Sequence, residues 1–74
     1  MTLQDIRPGE TCIVQEIKTN NLRKRIIDMG LINGTKVLVK KTAPLGDPIE
    51  IVVRGYSLTL RKAEARTILV ERDE

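Results

Sequence analysis

The chain has 74 residues, a net charge of +3 from 13 Lys and Arg against 10 Asp and Glu, and 41% hydrophobic residues, with Tyr56 its only aromatic. That length supports one small domain over residues 1–74, with a core drawn from Ile, Leu and Val. A lone Cys12 and the absence of His exclude a disulfide framework, a zinc ligand set and histidine-based catalysis.

The longest apolar runs, such as Ile68-Leu69-Val70, fall far short of the roughly 20 residues that cross a bilayer. Met1-Thr2-Leu3-Gln4-Asp5 lacks the basic and then apolar pattern of a signal peptide, so a cytoplasmic location is expected. Leu3 and Ile6 belong to an entry segment, and Arg7-Pro8-Gly9-Glu10 is turn chemistry ahead of the first strand. That strand runs from about Thr11 to Ile17. Its apolar residues fall on both sides, Cys12 and Val14 against Ile13 and Ile17, and the pattern does not choose between them. Cys12 reads as a small buried hydrophobe rather than a reactive thiol.

Asn20 or Asn21 can cap a helix whose inward stripe is Leu22, Ile26 and Met29, with Ile27 beside it. Gly30 ends it, and Leu31 then stands where a Schellman motif folds an apolar side chain back onto the last turn, against Ile26. The outer face carries Arg23, Lys24, Arg25 and Asp28, which reads first as solvated surface.

After the Asn33-Gly34 turn, Lys36 to Leu60 reads as a three-stranded meander. Ile49, Ile51 and Val53 alternate with polar or outward positions, as do Tyr56, Leu58 and Leu60. A two-residue loop at Arg54-Gly55 sets Val53 opposite Tyr56, Ile51 opposite Leu58 and Ile49 opposite Leu60, which aims all six at one core. Arg54 is a poor first residue for a type I′ turn, so the turn type stays open. Pairing Val39 with Ile51 and Val37 with Val53 adds the first strand, and leaves Thr42 to Pro48 as a long tip on which Leu45 is expected to be exposed. Arg61 to Arg66 is a helical turn with Ala63 and Ala65 inward. The closing strand spans about Thr67 to Glu71 with Ile68 and Val70 on one face, and Asp73 and Glu74 are expected to fray.

Five short strands with one helix after the first predict a mainly β fold, a small SH3-like five-stranded barrel, partly open. A five-stranded OB-like barrel fits less well, because its helix usually comes later in the chain. Without a nucleophile elbow, a P-loop or carboxylates spaced for acid–base work, the chain is expected to be non-enzymatic, with no cofactor, metal site or small-molecule substrate. Recognition remains. The sharper candidate surface is the tip, Pro44, Leu45, Gly46, Asp47 and Pro48, taken together with Arg54 and Tyr56 at a turn expected beside it; the second is the basic helix face at Arg23 and Arg25. A preorganised apolar tip binds with little ordering cost. Nucleic acid is the rival partner, supplied with phosphate contacts by the basic residues but poor in stacking rings, since Tyr56 is expected inward. An open barrel edge also leaves weak self-association open.

Arg25-Ile26-Ile27-Asp28-Met29-Gly30-Leu31, then Gly34, then Ala43-Pro44-Leu45-Gly46-Asp47-Pro48, then Leu58 to Arg61, together resemble the FeoA family of bacteria over nearly the whole chain. The resemblance implies an SH3-like fold and a cytoplasmic accessory role in ferrous iron uptake. It also implies that the partner is the membrane transporter FeoB, with its own GTP-binding domain, contacted and modulated by this chain.

Overall fold

Five antiparallel strands form one sheet in the order β4-β3-β2-β1-β5, where β1 is Thr11–Ile17, β2 Lys36–Thr42, β3 Ile49–Val53, β4 Tyr56–Leu60 and β5 Ile68–Arg72. Two short helices, α1 (Arg23–Asp28) and α2 (Lys62–Ala65), fill the β1–β2 and β4–β5 connections, and a single 3₁₀ turn at Leu3–Asp5 precedes β1. The structure is a computed structural model that describes residues 1–73.

The meander has the register its alternation dictates. Val53 faces Tyr56, Ile51 faces Leu58 and Ile49 faces Leu60, while Val39 faces Ile51 across β2 and β3. A bulge between Val39 and Lys41 lets β2 continue to Thr42, so the tip is Ala43 to Pro48. Ile49, Ile51, Val53, Leu60, Val37 and Val39 are all buried. Tyr56 is not: it is 74% exposed, against the inward position expected of it. Along β4 the core-facing row passes from buried Leu60 through half-buried Leu58 to Tyr56, because this edge strand has run past the core by its first residue.

β1 resolves its two-sided pattern with a bulge. Its pairing with β5 shifts register between Val14 and Glu16, so Cys12 and Val14 point inward before the shift and Ile17 after it. Both halves of the strand therefore feed one core. Burial pushes the Cys12 thiol up from the ordinary 9.0 to about 11, with the charge of Asp73 adding to the effect.

Asn20 Oδ1 accepts the Leu22 N–H at 2.9 Å, and α1 begins one residue later. Its far end is the Schellman motif: Leu31 N–H donates to the Ile26 carbonyl at 3.3 Å and Gly30 N–H to that of Ile27 at 2.9 Å. Ile26 and Leu31 are fully buried, and Gly30 has φ +91°. Gly30→Ala should lower stability by about 1–2 kcal/mol, since an L-residue is strained in this left-handed position. Its Cβ would also meet Arg54 Nη1 at 3.3 Å. A thermal melt of the variant measures the loss, and an unchanged melting temperature would contradict the assigned cap.

At α2 the expectation of Ala63 inward is corrected. Ala65 is buried, but Ala63 is exposed and Glu64 is buried in its stead. Glu64 turns in because its carboxylate has work there: Oε1 accepts the Arg61 N–H at 2.9 Å, closing the start of the helix, and Oε2 lies 3.1 Å from Arg25 Nε. That second contact lacks hydrogen-bond alignment and is an ion pair between α1 and α2. Asp73 does not fray either, since its N–H donates to the Thr11 carbonyl at 3.2 Å and its carboxylate reaches Lys36 Nζ at 3.1 Å. Glu74 lies outside the described residues.

Candidate functional site

The β2–β3 tip is fixed by its own backbone. Gly46 N–H donates to the Ala43 carbonyl at 2.7 Å, and Ala43 N–H to that of Pro48 at 3.1 Å, so both ends of the segment are closed. Pro44 and Pro48 hold their φ angles by ring constraint. Asp47 supplies the outside anchor, its Oδ1 accepting the Lys62 N–H at 3.1 Å from the first turn of α2. Leu45 emerges from this frame 89% exposed. An apolar group this large, exposed on a held loop, makes the tip a candidate contact surface.

The turn that carries Arg54 and Tyr56 lies elsewhere. β3 leaves the tip at Pro48 and reaches Arg54 only after five intervening residues, so the two are about 20 Å apart at opposite ends of the strand. The expectation that they adjoin is corrected by this topology, because successive turns of a meander fall at alternate ends of the sheet. Arg54 and Gly55 have φ of +52° and +83°, the signature of a type I′ turn. The Arg54 side chain leans toward Gly30 at the end of α1, where outward carbonyls favour a cation. It also borders a groove floored by Leu38 and Val52, with half-exposed Ile32 at its side.

The helix face divides as well. Arg25 is committed to Glu64, whereas Arg23 has no carboxylate within 4 Å among the described residues. Lys36, Lys40 and Arg72 are likewise paired, with Asp73, Glu50 and Glu10. These pairs interrupt the positive surface that nucleic acid would require, and Tyr56 stands as a single ring rather than one of a stacking series. No helix is long and apolar enough to cross a membrane among the described residues.

Lys62, read in the sequence only as one of the basic residues, and Glu64 have roles that the sequence does not announce. Lys62 anchors the tip with a backbone N–H, which has no side-chain signature at all. Glu64 was legible only as the third residue of a helical turn, the capping-box position.

A FeoA domain family model matches residues 1–72. A Fe(2+) transport protein A/Fe(2+) transporter FeoB fusion protein of Porphyromonas gingivalis is 32% identical over 72 residues, which are 96% of this chain and 8% of that protein. This chain thus spans a small fraction of that relative. The solved FeoA-like protein of Clostridium acetobutylicum is 41% identical, covers 97% of this chain and 85% of its own, and superposes with a TM-score of 0.91. Stenotrophomonas maltophilia FeoA, described as a procaryotic SH3 domain protein, shares the fold with a TM-score of 0.84 at 22% identity, over 96% of this chain and 89% of its own. With the five-stranded SH3-like architecture and the family match over nearly its whole length, this chain belongs to the FeoA family.

Proposed function

We propose that this chain is a non-enzymatic, cytoplasmic accessory protein of bacterial ferrous iron uptake, which binds the cytosolic part of a FeoB-type transporter and modulates it. The observation that carries the reading is Leu45, 89% exposed on a tip closed by two backbone hydrogen bonds and moored to α2 through Asp47. Pro44, Leu45, Gly46 and Pro48 form the contact, and Asp47 holds them in place. The fusion of transport protein A to FeoB in one P. gingivalis chain supports the choice of partner. Arg54 and Tyr56 lie at the other end of β3 from the tip and, with Arg23 on α1, are secondary contacts, while Arg25 serves the α1–α2 ion pair.

Leu45→Asp tests this directly. An exposed tip tolerates charge, so stability should change by less than about 0.5 kcal/mol. Affinity for the detergent-solubilised transporter should fall at least tenfold, about 1.4 kcal/mol. Ferrous iron uptake by cells carrying the variant should follow the loss. Wild-type binding and uptake in a folded Leu45→Asp protein would reject the tip, and salt-sensitive binding of the wild type to mixed nucleic acid would point to the rival partner.

A further inference from the structure

The two edges of the sheet are treated differently. β5 is covered: Val70 N–H donates to the Met1 carbonyl at 3.0 Å, Thr2 bridges Leu69, and the strand ends in Glu71 and Arg72. Cover and charge are two of the devices by which proteins keep strand edges from pairing further. β4 has neither. Its five residues, Tyr-Ser-Leu-Thr-Leu, carry no charge and no proline, and among the described residues its only neighbour in the sheet is β3.

The register shows which backbone groups are left over. A two-residue turn closes on Val53 and Tyr56, so Tyr56, Leu58 and Leu60 exchange their hydrogen bonds with β3, and the N–H and C=O of Ser57 and Thr59 point away from it. Beside that free edge, half-buried Leu58 and exposed Tyr56 extend the core row into solvent. A groove lined by Pro44, Pro48, Glu50 and Thr59 connects the edge to the tip.

We infer that β4 is a strand-addition site, on which an extended segment of the partner pairs with Ser57 and Thr59 as a sixth strand. The inference rests on the function proposed above and specifies its binding mode. Charge selects the occupant. Arg54, Arg61 and Lys62 flank β4, and although the backbone N–H groups of Arg61 and Lys62 are bonded to Glu64 and Asp47, none of the three side-chain cations has a carboxylate within 4 Å among the described residues. Two-fold pairing of β4 with its own copy, centred on Leu58, would bring the Arg54 end of each copy to the Arg61-Lys62 end of the other, gathering like charges at both ends of the pair. A segment of another protein, uncharged and partly apolar in the middle and acidic on its flanks, meets the same edge without that conflict. It would lay apolar side chains on Tyr56 and Leu58.

The test uses the full chain, with detergent-solubilised FeoB-type transporter as the probe. Amide exchange of Ser57 and Thr59, fast in the free protein, should slow at least tenfold in the complex. Thr59→Pro removes an outward N–H that the β3 ladder does not use, and should weaken binding at least tenfold. Because proline can also disturb the strand, a synthetic chain N-methylated at the Thr59 amide is the second variant, with the same loss expected and a native melting temperature. Full affinity of the N-methylated chain without protection of Ser57 and Thr59 would overturn strand addition; with Leu45→Asp still defective, the tip reading would survive. Loss of neither would overturn both. Protection that appears without the transporter and rises with protein concentration would make a second copy the occupant and overturn the choice made here.

Discussion

Replacing Ile51 by alanine should lower the free energy of unfolding by about 3–4 kcal/mol, within the range for deleting a buried aliphatic side chain. Ile51 is fully buried at the middle of β3, with Val39 opposite on one side and Leu58 on the other. A cavity there cannot close by moving one edge, because β3 is hydrogen-bonded on both sides. A domain of 74 residues has roughly 4–11 kcal/mol of net stability, so this substitution removes a large part of it. The melting temperature should fall by about 12–30 °C. Urea titration followed by circular dichroism should show the midpoint shift at unchanged slope. A loss below about 1 kcal/mol would mean that the inward row of β3 is not the centre of the core.

Raising the pH from 8 to about 10.5 should destabilise the wild type by about 2 kcal/mol more than a Cys12→Ala variant. The unfolded thiol ionises near 9.0 and the folded one near 11, held up by burial and then by the charge of Asp73. Between those values the unfolded chain binds fewer protons than the folded one, so unfolding becomes easier as pH rises. The contribution is complete below pH 9 and is lost as pH passes through 11, a total of about 2.7 kcal/mol for two pH units. Paired denaturant titrations of the two proteins measure the difference. Parallel pH curves would place Cys12 in contact with water.

The meander register could be read from the sequence because alternation of period two in β3 and β4 admits one pairing that keeps Ile49, Ile51 and Leu60 together. The Schellman end of α1 was legible for a similar reason: Gly30 and Leu31 each satisfy a separate requirement of one motif. What escaped depended on the assembled molecule. Alternation says which face Tyr56 occupies, but not how far along β4 the core extends. The bulge that turns both Val14 and Ile17 inward is a property of the β1–β5 pairing, and Glu64 is buried because Arg25 on a distant helix meets it. At the candidate site, Leu45 between its prolines was visible from local chemistry. Its separation from Arg54 and Tyr56 is not a local property, because it is set by the length of β3. The bare edge at Ser57 and Thr59 emerges only once every other strand has been given its neighbour.

The placement of the chain ends has a practical meaning for binding measurements. Met1 lies along β5 through its bond to Val70, and Asp73 is held at Thr11 on β1, so both ends emerge beside strands other than β4. A tether to a sensor chip, or a covalent link to a larger polypeptide, therefore pulls on the β1–β5 side. Neither end segment uses the backbone groups of Ser57 and Thr59, so immobilising either end leaves those groups unoccupied.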